Sequence, residues 1–137
     1  MSSDPALNLV NRMIEEIQNE KNLALCDELF APDFVNHSAR PGTSAGRDGM
    51  RQLFSNMHDA FPDGRIEICD QISDGHKVWT RKIFSGTHSG MFYGMAPTGK
   101  RASYEVIDII TVDGGWITEH WSVLDRLDFM QQLGLIE

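Results

Sequence analysis

The residue types that could do chemistry are concentrated in the last third of the chain, in the stretch GWITEHWSVLD from Gly115 to Asp125. This stretch is typical of a β-strand that ends in a carboxylate. Because side chains alternate along a strand, we predict one face carrying Ile117, Glu119, Trp121, Val123 and Asp125, and an opposite face carrying His120, Ser122 and Leu124. A buried carboxylate is costly unless it is paired, so a row mixing Glu, Trp and Asp is unusual for a plain core. The pattern predicts a pocket wall, with Asp125 as the first candidate for chemistry.

Asp125 has two possible roles. As a general base it would remove a proton next to a carbonyl and then protonate the new alkoxide, and an apolar pocket would raise its pKa by desolvation. As a helix cap it would precede the helical stretch from Leu127 to Leu133, because Asp is a favoured N-cap residue. From the residue type alone, the cap is the simpler interpretation.

Two histidines could complete a pocket around this carboxylate. His37, beside Asn36, leaves an apolar segment and could polarise a substrate carbonyl or orient Asp125, although a surface position fits it equally well. His88 follows Gly86, where a bulge could change the face on which the histidine lies.

Arg81 and three aromatic residues are further candidates for the pocket. Arg81 could neutralise an enolate or bind an acidic group, or it could simply be paired with Glu105 or Glu119. Trp121, with Trp79 and Tyr104 nearby in strand order, is predicted to form a flat apolar wall that suits an aromatic ligand, although aromatic residues also fill ordinary cores.

Length and composition indicate one compact domain over residues 1–137, with 41% hydrophobic and 23% charged residues. A formal net charge of −8 and scattered basic residues argue against nucleic acid as a partner, because such binding depends on neutralising phosphates. Cys26 and Cys69 are predicted to be buried free thiols, and no Cys/His spacing indicates a metal site. The N-terminus has no leader pattern and no apolar run is long enough to cross a membrane, so we expect a cytoplasmic protein.

Helical periodicity dominates the first half of the chain. A first helix is predicted to begin at Asp4 and Pro5, and a second, capped by Asn22, to end before Pro32. A strongly amphipathic third helix is predicted to end at Pro62. Residues 34–37 are predicted to be extended or loop, and residues 38–46 to form a loop that could rim a pocket.

The second half changes to the two-residue period of strands. Residues 66–72 and 77–84 are predicted to form a hairpin around the Asp74-Gly75 turn, followed by a long connection and a strand at 102–112. A turn at 113–115 leads to the final strand, and Gly134 is predicted to end a short closing helix. Helices followed by antiparallel strands indicate an α+β fold, a curved sheet wrapped on the N-terminal helices around a cone-shaped pocket.

The blocks GTHSGMFYGMAPTGK, DGGWITEHWSVLD and QLG, in this order, resemble the SnoaL-like polyketide cyclases, also called ester cyclases. These belong to the superfamily named for nuclear transport factor two. The resemblance extends from the first helix to Gly134. It implies an α+β cone with a mostly apolar pocket, often dimeric through the outer sheet face.

The resemblance also implies a reaction. Cyclases of this family close a polyketide ring by intramolecular aldol condensation without metal or organic cofactor, using a carboxylate on the last strand as acid and base. Asp125, in the WxxxD that begins at Trp121, matches that position. The family's pocket histidine on the preceding strand has no counterpart at 102–112, where Asp108 is the only ionisable residue in the second half.

Three functions remain open at this point. The first is a cofactor-independent cyclase or lyase acting on a small apolar or aromatic carbonyl compound. Its catalytic residues would be Asp125 and His37, and its substrate-binding residues would be Asn36, Arg81, His88, Tyr104, Asp108, Glu119 and Trp121. The second is a non-catalytic ligand-binding or dimerising accessory protein. The third is a hydrolase of epoxide type, in which Asp108 or Asn36 would hold the attacking water.

Overall fold

The fold combines a five-stranded sheet with helices on its inner face, as seen in a computed structural model that describes residues 3–136. In chain order the elements are α1 (Pro5–Arg12) continuing as a π-helical segment (Met13–Asn19), a 3-10 turn (Leu23–Leu25), α2 (Cys26–Leu29), β1 (Phe30–Asn36), α3 (Arg47–Ala60), β2 (Arg65–Ser73), β3 (Lys77–Thr87), β4 (Arg101–Asp113), β5 (Trp116–Leu124) and α4 (Arg126–Gln132). This arrangement confirms the predicted α+β class.

The first and third helices follow the predicted signals, whereas Asn22 precedes only a 3-10 turn and its side chain caps no helix. The Asp4 carboxylate accepts hydrogen bonds from the backbone N–H groups of Ala6 and Leu7 at 3.0 and 3.2 Å, which fixes the start of α1. α3 buries Met50 and Phe54 against the core and ends two residues before Pro62.

The sheet has the strand order β1-β5-β4-β3-β2. β2 to β5 form an antiparallel meander, whereas β1 lies parallel to β5 at the edge. The prediction that the first three helices precede all the strands is therefore wrong at one position, since β1 lies between α2 and α3. Pro32 is compatible with this strand because an edge strand leaves some backbone groups outside the ladder.

A β-bulge interrupts the pairing between β4 and β5. Val112 pairs with Ile117 and Thr111 pairs with Glu119, so β5 has one additional residue, Thr118, between these two pairs. Such a residue shifts the alternation of side chains between the two faces. Ile117 therefore points into the core, while Glu119 lies on the outer face.

The two cysteines are free, as predicted, but only Cys26 is buried, while Cys69 is half-exposed on β2. Among residues 3–136, no helix is both long and apolar enough to cross a membrane.

Candidate active site

A cavity of about 120 Å³ lies on the inner face of the sheet. Its walls combine apolar side chains from helices and strands with a polar group consisting of Asn36, Lys82, Tyr104, Asp108, His120 and Ser122. A second cavity of about 280 Å³ runs under the loop between β1 and α3. Both cavities are lined by Asn36, Arg40, Leu53 and Tyr93, so they lie next to each other.

Asp108 and Lys82 form a buried ion pair in the first cavity. Lys82 Nζ lies 2.7 Å from Asp108 Oδ2 and also donates a hydrogen bond to Gln18 Oε1 at 3.0 Å. Asp108 Oδ1 is buried and has no hydrogen-bond partner among residues 3–136. Because an unpaired buried polar atom is costly, this oxygen is a candidate contact for a bound molecule.

His120 is held in one tautomer by Asn36. Its Nδ1 lies 2.9 Å from Asn36 Oδ1, and the same oxygen accepts the backbone N–H of Ser38 at 3.0 Å. A backbone N–H can only donate, so this Asn36 atom is the oxygen, and His120 Nδ1 must be the donor. The neutral ring therefore carries its proton on Nδ1 and an unshared electron pair on Nε2.

The surroundings of His120 keep it neutral. Burial lowers its pKa to about 4, a direction that the Asp108 carboxylate opposes and the Lys82 ammonium reinforces. His120 Nε2 lies 4.0 Å from Asp108 Oδ2, beyond hydrogen-bond distance. The site thus places an uncharged nitrogen base beside a carboxylate that would stabilise the protonated ring.

Tyr104 adds a protonated hydroxyl to the cavity. Burial raises the pKa of its phenol well above the ordinary value, and the ring packs against Phe84 and Phe129 with centroid distances of 5.2 and 4.7 Å. The hydroxyl is therefore available as a hydrogen-bond donor at neutral pH.

The predicted face assignment of β5 is wrong. His120, Ser122 and Leu124 line the cavity, whereas Val123 is 76% exposed on the opposite side of the sheet. The bulge at Thr118 is the physical reason, because it reverses the alternation counted from Ile117.

His37, Glu119 and Trp121 lie together on that outer face. His37 Nε2 is 3.0 Å from Glu119 Oε2, and its ring stacks on Trp121 at a centroid distance of 4.5 Å. The hydrogen bond from His37 is the main cause of the lowered pKa of Glu119. None of the three lines either cavity, so the predicted placement of His37, Glu119 and Trp121 in the pocket is wrong.

Asp125 occupies the helix-cap position. Its Oδ1 accepts the backbone N–H of Asp128 at 2.9 Å, which caps the start of α4, and the residue is exposed. It does not line the cavity, so the expected position on a pocket wall is wrong. β5 ends at Leu124, and Asp125 is the N-cap residue of α4.

Arg81 and His88 also lie outside the cavity. Arg81 is paired on the outer face with Asp70 at 2.9 Å and Glu105 at 3.3 Å. The pair with Glu105 is one that was predicted as the alternative to a pocket role. His88 is fully buried beside Phe61, and its Nδ1 contacts the Thr98 hydroxyl at 3.1 Å. Of the candidate residues, the structure brings only Asn36, Tyr104 and Asp108 to the cavity.

Comparison with known proteins identifies the family. The family described as SnoaL-like polyketide cyclase matches residues 8–133. The chain belongs to this family. Nogalonic acid methyl ester cyclase from Streptomyces nogalater is 28% identical over 110 residues, covering 79% of this chain and 82% of the relative. Aklanonic acid methyl ester cyclase DauD from Streptomyces sp. strain C5 is 27% identical, covering 95% of this chain and 82% of the relative.

Solved structures agree with this assignment. TsrD from Streptomyces laurentii superposes with a TM-score of 0.87 at 25% identity, covering 99% of both chains. The fold is that of the nuclear transport factor two-like superfamily, to which SnoaL-like cyclases belong. Together with the cyclase relatives, it supports the prediction of a polyketide cyclase-like enzyme.

Compared with what the resemblance implied, this SnoaL-like chain has its cavity carboxylate and its cavity histidine on exchanged strands. The carboxylate, Asp108, is on β4, and the histidine, His120, is on the last strand, β5. Ser122 pairs with Asp108 across these strands and occupies a cavity-facing position on the last strand.

Sequence reasoning missed Lys82, His120 and the arginines Arg40 and Arg126 as cavity residues. Lys82 had a usable signal, because it shares a strand face with the buried residues Val78 and Phe84. His120 had a weaker signal. It was correctly predicted to share a strand face with Ser122, but that face was predicted to lie away from the pocket. Arg40 and Arg126 lie outside the strands, so strand alternation gives no information about them.

Proposed function

We propose that this SnoaL-like protein catalyses an intramolecular aldol-type ring closure in a polyketide-like carbonyl compound. The observation that carries the proposal is the neutral His120, whose Nε2 has an unshared electron pair in a cavity that also holds the Asp108 carboxylate. A base near a carboxylate, in a mostly apolar cavity, suits the removal of a proton next to a carbonyl.

In the proposed reaction, His120 Nε2 takes a proton from the carbon next to one carbonyl, leaving an enolate. The enolate carbon then attacks a second carbonyl of the same molecule, forming a carbon–carbon bond while the carbonyl π bond becomes an alkoxide. The alkoxide takes the proton back from His120. Substrate and product have the same atoms, so the reaction is an isomerisation and consumes no co-reactant.

The neighbouring groups have supporting roles in this proposal. The Asp108 carboxylate stabilises the imidazolium that forms when His120 is protonated, and Lys82 holds Asp108 in position at 2.7 Å. The Tyr104 hydroxyl, which burial keeps protonated, donates a hydrogen bond to the enolate oxygen. Apolar residues such as Leu53, Val106 and Leu124 provide the wall for a polyketide skeleton.

The test uses nogalonic acid methyl ester, the compound that appears in the name of one relative, the nogalonic acid methyl ester cyclase. The purified protein should convert it to a product of unchanged mass and altered retention time, as followed by liquid chromatography and mass spectrometry. His120→Gln should lower kcat/KM at least about 100-fold, because the variant lacks the base. Its amide can still donate to Asn36, so the fold should be retained.

Two variants complete the design. Asp125→Asn should retain activity, because Asp125 caps α4 outside the cavity and Asn also caps helices well. His76→Gln changes an exposed histidine in the turn between β2 and β3 and serves as the matched control. Full activity in His120→Gln, or its loss in Asp125→Asn, would refute the assigned base. Binding of the ester without any conversion would favour the non-catalytic alternative.

A further inference from the structure

In the part of the chain that the structure describes, two arginines at the first cavity have no acidic partner. Arg40 comes from the loop after β1, and Arg126 is the first residue of α4. Over residues 3–136, neither guanidinium lies within ion-pair distance of an Asp or Glu, whereas Arg12, Arg47, Arg51, Arg81 and Arg101 each do. Segments distant in sequence thus bring two unneutralised cations to the same cavity.

Arg40 is held in an orientation that leaves its donors available. Its Cζ lies 3.8 Å from the centre of the Tyr93 ring, and Tyr93 also lines the cavity. A guanidinium that stacks on an aromatic face still has its N–H groups directed outward in its own plane. These N–H groups can bind a planar anion such as a carboxylate through two parallel hydrogen bonds.

Arg126 lies at the opening of the cavity, because it both lines the cavity and is exposed to solvent. Its positive charge lowers the pKa of the buried Tyr104 hydroxyl, against the larger effect of burial. The guanidinium is therefore close enough for its charge to act on a group inside the cavity.

The charges of the cavity sum to an excess of positive charge. Lys82 and Asp108 neutralise each other at 2.7 Å, and His120 is neutral, which leaves the charges of Arg40 and Arg126. Asp48, which lines the neighbouring cavity, is already paired with Arg51 at 2.7 Å. In a chain with a formal net charge of −8, this cavity is a local site of attraction for anions.

We propose that the substrate of this protein carries a free carboxylate, bound by Arg40 and Arg126 while the carbonyl groups face His120. The inference rests on the proposed ring closure and specifies its substrate class as a carbonyl acid. It separates this chain from relatives named for methyl esters, in which the corresponding group has no charge.

The experiment compares nogalonic acid with nogalonic acid methyl ester, which differ only in that carboxyl group. Calorimetric titration gives the Kd of each compound, and the chromatographic assay gives kcat/KM. The wild-type protein should bind the acid about 10-fold to 100-fold more tightly than the ester, the range expected for hydrogen bonds to a charged group.

The variants Arg40→Gln and Arg126→Gln should weaken binding of the acid about 10-fold or more and leave binding of the ester nearly unchanged. Arg12→Gln, which removes the same charge from an exposed ion pair on α1, is the control and should change neither Kd.

The outcomes separate this inference from the proposed function. Tight, arginine-dependent binding of the acid without conversion would support the carboxylate site while removing the cyclase function. Conversion of the ester with equal or tighter binding than the acid would overturn the carboxylate site while keeping the cyclase function. Failure of both compounds to bind, or equal losses for both in the arginine variants, would also overturn it.

Discussion

At the scale of single residues, the proposed reaction depends on a histidine that burial keeps uncharged. The Asn36 oxygen directs the proton of His120 to Nδ1 and leaves Nε2 with the electron pair that this reaction requires. Burying the neutral ring lowers the free energy of unfolding at acid pH, because the buried ring resists protonation whereas the same ring in the unfolded chain does not.

This cost predicts a pH dependence of stability. The pKa of His120 is about 4 in the folded protein, below its ordinary value of 6.5, so between these values the unfolded chain binds more protons. The contribution of His120 is fully present above pH 6.5 and is lost as pH falls toward 4, by an amount on the order of 3 kcal/mol.

Urea unfolding of the wild type and of His120→Gln at pH 7 and pH 4.5 measures this effect. The free energy of unfolding should fall more for the wild type than for the variant. His58, whose pKa burial also lowers, is present in both proteins and cancels in the comparison. Equal losses in both proteins would contradict the burial of a neutral His120.

At the scale of elements, several caps and turns were predicted correctly from the sequence, whereas the faces of β5 were not. Asp4, the Asp74-Gly75 turn and Gly134 fixed boundaries correctly, because caps and turns depend on a few neighbouring residues. The bulge at Thr118 depends on the pairing of β5 with β4, which the sequence of β5 alone does not reveal. Because the bulge shifts the side-chain alternation, the wrong face of β5 was predicted to line the pocket.

The cap of α4 predicts a stability effect separate from activity. Asp125→Ala should lower the free energy of unfolding by about 1 kcal/mol, because the backbone N–H of Asp128 loses its partner. Asp125→Asn should recover most of this loss. Urea unfolding of the three proteins checks the order, and an Asn variant as unstable as the Ala variant would contradict a capping role.

At the scale of the whole molecule, one row of apolar side chains crosses the outer sheet face. Ile72, Trp79, Ile109 and Trp121 are consecutive partners across β2, β3, β4 and β5, and form a row on this face. Ile72 and Trp79 are 71% and 50% exposed. We propose that this row is the contact of a homodimer, since a continuous apolar patch of this kind marks an interaction surface.

Sedimentation velocity tests the dimer. The wild type should sediment as a dimer at micromolar concentration, and Trp79→Glu should shift it to the monomer by placing a charge in the row. Met91→Glu introduces the same charge at an exposed apolar residue in the loop after β3 and should leave the dimer intact. A wild-type monomer across the concentration range would rule out this surface.

The parallel pairing of β1 with β5 has a further consequence. Asn36 stands beside His120 only because these two residues are partners in that register. A slip of one residue would bring Val35 or His37 to this place, and the imidazole would lose the acceptor that decides which nitrogen is protonated. In the proposed reaction, the nitrogen of His120 that accepts the proton is therefore set by the alignment of an edge strand.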